Sequence, residues 1–283
     1  MNIPASKVKE LRERTGLGVL DCRNALVESE GDMELAIDTL RKASGMKAAK
    51  KAGRIANDGL IGMKLAKEGS SAAMVEVNCE TDFAARDENF LNFVTAVTDK
   101  VLDSGETGIP ALLESGLESM REKLVQKIGE NCSIRRAEVF EGSVGSYVHT
   151  NGKIGVLVSM EGGNEALGRD IAMHIAASGP TVVSPDDAPA DLVAKEREIY
   201  TAQAQDSGKP PEIVEKMIDG RIRKYLAEIS LTEQPFVKDG DIKIGALLSK
   251  EGAKVNRFVR FEVGEGIEKE EVDFATEVAQ QMS

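Results

Sequence analysis

The 283-residue sequence contains no tryptophan and only 4% aromatic residues, so its cores must rest on Ala, Val, Ile, Leu and Met. Histidine occurs twice. His149 follows a predicted strand, and His174 falls on an apolar helix stripe, where a hydrogen-bonded core histidine is expected. No Ser, His and Asp set stands out and no metal-ligand spacing occurs. Gly152-Lys153 is followed by Ile154 and lacks the spaced upstream glycine of a phosphate loop. An enzyme therefore has little chemistry to work with, and no catalytic residue, metal or cofactor is expected. Cys22, Cys79 and Cys132 are odd in number and far apart, which predicts three reduced thiols rather than a disulfide framework or a metal site. No segment approaches the ~20 apolar residues that cross a bilayer. Met1-Asn2-Ile3-Pro4-Ala5-Ser6-Lys7 leads into no apolar run, so a cytosolic protein without a membrane partner is expected. Basic residues are the minority, 36 against 48 acidic, and the net charge of -12 repels phosphate backbones. That disfavours nucleic acid as the main partner and leaves a protein or a small ligand.

What is present is a chain long enough for two or three domains, with the 41% hydrophobic and 30% charged residues of a soluble globular protein. Its organising stretch is residues 73–90. Val75, Val77 and Cys79 alternate with Met74, Glu76 and Asn78, the period of a half-buried strand that ends near Cys79. From Asp87, a suitable cap, Phe90, Phe93, Val94, Val97 and Val101 recur at helical spacing. Thr81-Asp82-Phe83 falls in the turn between them. Continued alternation predicts Phe83 beside Val77 and Cys79 in the core. The other reading offers the ring to a partner.

Upstream, Ser6, Asp21 and Asp32 are placed to start three short helices, carrying Val8 and Leu11, then Ala25 and Leu26, then Leu35, Ala36, Ile37 and Leu40 inward. Gly16-Leu17-Gly18 lacks the third glycine and the preceding strand of a dinucleotide fingerprint. The basic, Ala-rich run from Arg41 to Arg54 reads as a solvated linker, with an acidic partner patch as its functional alternative.

From Asn57 to Gly179 one pattern occurs twice: strand, turn, strand, helix. The first copy has strands at Leu60 to Ala66 and Ala73 to Cys79 around Glu68-Gly69-Ser70, then a helix from Asp87 to Leu102. The second has strands at Ser143 to Val148 and Ile154 to Met160 around Thr150-Asn151-Gly152, then a helix from Glu165 to Ser178. A third strand returns late in each copy, at Ser133 to Phe140 and at Val255 to Val263. Pro185 to Ser230 reads as an inserted antiparallel helical hairpin broken at Ser207-Gly208-Lys209-Pro210-Pro211. Its stripe of Ile213, Met217, Ile218, Ile222, Tyr225 and Leu226 faces Leu192, Ile199 and Tyr200, for hairpin packing or for a dimer or partner contact. A last helix at Val272 to Met282 must dock on its own core or on a partner. The fold class expected is α+β. Its divisions are a three-helix module and linker at 1–54, a core half at 55–141, a related half at 142–180 with 229–263, the hairpin at 181–228, and a C-terminal helical module at 264–283.

Several blocks together are similar to bacterial translation elongation factor Ts. They are Val8-Lys9-Glu10-Leu11-Arg12-Glu13-Arg14-Thr15-Gly16, Glu76-Val77-Asn78-Cys79 with Thr81-Asp82-Phe83, and Lys127-Ile128-Gly129-Glu130-Asn131. Ile171-Ala172-Met173-His174-Ile175-Ala176-Ala177 and Arg260-Phe261-Glu262-Val263-Gly264-Glu265-Gly266-Ile267 complete the set, and the likeness runs the whole length of the chain. The resemblance implies a UBA-like N-terminal module and a guanine-nucleotide exchange factor for elongation factor Tu that makes and breaks no bonds. It implies that Thr81, Asp82, Phe83 and Ala84 enter the GTPase beside its magnesium and disturb the ion and the phosphate-holding loop. Ala84 stands where a larger aliphatic is expected. Ile128, Gly129 and His149 resemble secondary core contacts, and Leu20, Arg23 and the tail helix would grip the partner elsewhere. The likeness leaves room for a dimer of such heterodimers. A plain interaction scaffold is the competing class, and an RNA-binding chaperone using Arg41 to Arg54 is the third.

Overall fold

The computed structural model describes residues 3–66, 70–204 and 210–267. The architecture is α+β, and it opens with three helices. α1 (Ala5–Thr15) starts from Pro4 and α2 (Val19–Glu28) from Gly18, neither with a side-chain cap, so Ser6 and Asp21 are not the caps expected. Both lie one or two residues inside their helix, and Asp21 still complements the dipole from the first turn of α2. Asp32 does cap α3 (Met33–Lys51), accepting from the Leu35 N–H at 2.9 Å. Leu35 itself is exposed, and Ala36 and Leu40 carry the inner face with Leu11, Cys22 and Leu26.

The basic run is not a linker. α3 continues through it to Lys51, because Ala, Lys, Arg and Met are strong helix formers and Ser44 and Ala48 recur on its buried face. The Ser44 hydroxyl meets Gln126 of α7 (Glu118–Ile128), Lys47 pairs with Asp21 at 3.4 Å, and Lys51 donates to the Gly129 carbonyl. Its cations are partly engaged within the protein.

The repeated pattern is real. β1 (Asp58–Leu65), β2 (Ser71–Cys79) and β3 (Cys132–Glu141) form one sheet in the order β1-β2-β3. β4 (Val144–Val148), β5 (Ile154–Glu161) and β8 (Lys254–Glu262) form another in the order β4-β5-β8. Each places a helix after its second strand, α5 (Glu88–Ser104) and α8 (Glu165–Ser178). β4 and β5 pair antiparallel, Tyr147 opposite Val156, with Gly152 at positive φ in the turn. Most of the turn expected at 68–70 lies outside the described residues, as do Ser207 to Lys209 and the helix expected at Val272 to Met282. α9 (Ala190–Ala204) and α10 (Pro211–Ile229) make the helical hairpin, seamed by Ala204, Ile218 and Ile222 with Val193, Tyr200, Val214 and Leu226. Ile199 and Ile213 are exposed instead, since two helices bury only a narrow seam. α6 (Ile109–Leu112) leads towards α7, and β6 (Pro235–Phe236), β7 (Asp239–Lys243) and α11 (Ile244–Lys250) follow the hairpin.

The described residues divide into two compact units, one of 3–62, 75–138 and 262–267, the other of 63–66, 70–74, 139–204 and 210–261. The second is built on Val156 and Val158 of β5, Ile171 and Ile175 of α8, and Ile244 and Leu248 of α11. A Cβ at Gly145 would lie 2.5 Å from the Gly168 carbonyl oxygen, so β4 and α8 meet through two glycines. Gly145→Ala is expected to cost about 1–3 kcal/mol by forcing them apart. A shift of the chemical-denaturation midpoint would report it, and an unmoved midpoint would refute the close approach.

His174 is the core histidine its stripe implies. Its Nε2 lies 2.9 Å from Gln234 Oε1 and its Nδ1 accepts the Val237 N–H at 3.2 Å, which defines a neutral ring protonated on Nε2. Burial pushes its pKa below the ordinary histidine value, against the upward pull of the Gln234 hydrogen bond. Stability from the neutral ring is therefore complete above the unfolded value and lost as pH falls below about 6.5. Melting temperatures from pH 7 to 5 should fall more steeply for the wild type than for His174→Gln, and equal slopes would assign the titration to other groups.

Candidate partner-binding site

β2 is buried along both faces rather than one: Glu76 and Asn78, expected on the outer side, are as inaccessible as Val75 and Val77. Glu76 is 0% exposed and survives there because it is paired. Its carboxylate accepts from Arg135 at 2.9 Å, Arg136 at 2.6 Å, Asn78 Nδ2 at 3.1 Å and the Gly264 N–H at 2.9 Å. Burial pushes the Glu76 pKa up, but the Gly264 hydrogen bond and the two guanidinium groups together hold it below the ordinary glutamate value. Arg135 also donates to the Glu265 carbonyl and Arg136 to that of Glu262, so residues 262–265 are tied to β2 and β3. Gly264 has φ +76, and a Cβ there would lie 2.2 Å from the Asn57 carbonyl oxygen, so no other residue fits.

At the end of β2 the Cys79 thiol donates to the Thr81 carbonyl at 3.2 Å. Thr81 then caps a single helical turn, α4 (Asp82–Ala85), its hydroxyl accepting from the Ala84 N–H at 3.3 Å. The backbone period changes here from two residues to 3.6. Alternation therefore stops predicting sides at Thr81, and the core position expected for Phe83 by alternation is wrong. Ala84 and Ala85 turn inward, Ala84 4% exposed, while the Phe83 ring stands 80% exposed. Asp82 pairs with Arg86 at 2.9 Å on the surface, an interaction worth about 1 kcal/mol or less. Asp87 caps α5 through the Asn89 N–H at 2.8 Å, and hydrogen bonds from the Asn89 side chain and backbone hold its carboxyl below the usual range.

The turn is anchored from below by the loop after α7. Gly129 ends that helix at φ +84, and Glu130 places its carboxylate under the turn, accepting the Glu80 N–H at 3.1 Å, the Thr81 N–H at 3.0 Å and the Thr81 hydroxyl at 2.7 Å. Glu80 answers by accepting the Asn131 N–H at 2.6 Å, and Asn131 Nδ2 donates to the Arg54 carbonyl at 2.8 Å. Cys132, beside this loop, is pushed up to about 12 by burial and then by the Glu130 charge, which makes it an inert thiol.

Of the residues implicated from the sequence, Thr81 to Ala84 and the end of α7 at Ile128 and Gly129 are thus brought together through Glu130. Leu20, 72% exposed, and the exposed Arg23 lie on α2, whose Asp21 accepts from Gln126 of α7 at 3.2 Å. Arg23 lines a cleft of about 300 Å³ with Val8, Lys9, Arg12 and Val19. His149 belongs to the second unit, exposed, its Nδ1 3.2 Å from the Tyr147 hydroxyl, in a cleft of about 480 Å³ with Met173, Val237 and Arg260. Glu76, Arg135, Arg136 and Glu80 carry no role in the sequence reading. For Glu76, Arg135 and Arg136 the signal was charge at strand positions, and Glu80, just past the end of β2, gave none. Among the described residues no group of three or more His, Cys, Asp or Glu could hold a metal, and no helix is long and apolar enough to cross a membrane.

The family model described as Elongation factor TS matches residues 80–265, which include the turn, its supporting loop and residues 262–265, the latch that closes on Glu76. The elongation factor Ts of Hahella chejuensis is 62% identical over 281 residues, spanning 99% of this chain and 98% of its own. Those of Marinobacter nauticus and Teredinibacter turnerae are 57% and 55% identical, spanning 98% and 100% of this chain and 96% and 98% of theirs. The protein is a translation elongation factor. It belongs to the elongation factor Ts family.

Proposed function

We propose that this protein binds elongation factor Tu in its GDP form in the cytosol and promotes release of the nucleotide, acting as an exchange factor and not as an enzyme. The observation that carries the reading is Phe83, a large apolar ring held 80% exposed on a turn whose backbone is anchored by Glu130. Such a ring is costly to leave in water and suits a pocket on a partner. Asp82 beside it brings a negative charge to the same point. In the proposed complex Thr81, Asp82 and Phe83 enter the GTPase next to its magnesium, with the small, buried Ala84 seating the turn. Displacing the cation leaves the diphosphate poorly compensated, and GDP departs faster. Leu20 and Arg23 of the N-terminal module, Ile128 and Gly129 beside the turn, and His149 of the second unit supply the remaining grip. By linkage, a factor that weakens nucleotide binding is itself weakened by nucleotide in the same ratio, so the ternary complex is transient.

The test is stopped-flow release of a fluorescent GDP analogue from Tu. Release should accelerate with factor concentration and saturate. Binding without any change in off-rate would establish the scaffold class in place of exchange.

A further inference from the structure

We propose that Glu130 is a positioning residue for nucleotide release, holding the turn at 81–84 in the geometry from which Phe83 and Asp82 act. This rests on the exchange reading above. Thr81 is the pivot: its hydroxyl donates to Glu130 Oε1 at 2.7 Å while accepting the Ala84 N–H at 3.3 Å that opens α4. The Thr81 and Glu80 amides both converge on Glu130 Oε2, at 3.0 and 3.1 Å. One carboxylate thus takes three donors at the point where strand becomes helix. Glu80 returns the contact through the Asn131 N–H at 2.6 Å, closing a reciprocal bridge between strand end and loop. Lys51 on the Gly129 carbonyl and Asn131 on the Arg54 carbonyl tie that loop in turn to the end of α3 and the segment after it.

A four-residue helix has no stability of its own, since nucleation is unfavourable and too few bonds follow. Without the carboxylate beneath it, the turn would have to be ordered by the partner. Binding energy used to order it would then be lost to the displacement of the ion. Hydrogen bonds to an ionised acceptor are the strong kind, so Glu130 supplies that order in advance.

The experiment measures release of a fluorescent GDP analogue from Tu over a concentration series of full-length wild type, Glu130→Ala and Glu130→Gln, with binding to nucleotide-free Tu and thermal melts alongside. Glu130→Ala is expected to lower the release rate at saturating factor about tenfold and to weaken binding to empty Tu by a similar factor. Binding to Tu with GDP should change less. Glu130→Gln should recover part of the rate, because its single carbonyl oxygen can still accept the two amides. A purely structural role would lower the melting temperature and the active fraction while leaving the saturating rate of the folded protein intact, and that result overturns the inference. If Glu130→Ala does not fold, Glu130→Gln carries the test, and a wild-type saturating rate in it is equally fatal. Wild type that leaves GDP release unaccelerated would remove the exchange reading itself, an outcome the variants cannot mimic.

Discussion

Phe83→Ala is expected to slow factor-promoted GDP release from Tu by about 30-fold or more, the effect of deleting a binding hot spot of roughly 2 kcal/mol. The same substitution should leave the melting temperature almost unchanged. The ring is 80% exposed, and surface substitutions away from packed features stay within about 0.5 kcal/mol. This pairing of a large functional loss with a small stability change separates a presented ring from a core ring. Truncating a buried phenylalanine costs about 3–5 kcal/mol. Unchanged release by stopped flow would reject the role of Phe83, and a melting temperature that collapsed would contradict its exposure.

Glu76→Ala should destabilise the first unit measurably. It leaves Arg135 and Arg136 without their shared carboxylate and the Gly264 N–H without an acceptor. Both guanidinium groups are partly exposed and Arg136 keeps Glu265 at 3.3 Å, so the cost is that of the lost charge-assisted hydrogen bonds, about 1.5–3 kcal/mol. The segment at 262–265 should loosen with it, visible as faster amide exchange at Gly264. In the wild type the folded Glu76 pKa lies below the ordinary glutamate value, so its stabilisation is complete above the unfolded value and lost as pH falls through the range down to the folded one. Chemical denaturation below about pH 5 should show that loss in the wild type and a flatter profile in Glu76→Gln. A Glu76→Ala protein with an unmoved denaturation midpoint would refute the latch.

Both expectations turn on the same few residues of β2 and its end, and there the sequence pattern was least reliable. Alternation placed Val75, Val77 and Cys79 inside correctly, but it also placed Glu76 and Asn78 outside, and all five are buried. A period of two reports which residues share a face. It does not report whether that face is covered, and here Arg135, Arg136 and Gly264 supply partners that make burial of a carboxylate tolerable. The same limit applied to Phe83, whose side depended on a cap at Thr81 that ended the strand period. In the basic run from Arg41, charge suggested solvent while Ser44 and Ala48, four apart, marked the face that packs.

Local chemistry by itself determined much else. The Asn151-Gly152 hairpin, the capped start of α5 at Asp87, the stripe of α8 with His174, and the duplicated strand–strand–helix plan all follow from nearest-neighbour preferences that act within a few residues. The blocks shared with the elongation factor Ts family were equally legible. Only the tertiary structure decided which charges are buried, which ring is presented, and which carboxylate anchors the turn beneath it. Those outcomes depend on partners such as Glu130 for Thr81 and Gly264 for Glu76, far apart along the chain and adjacent only once the sheet has formed.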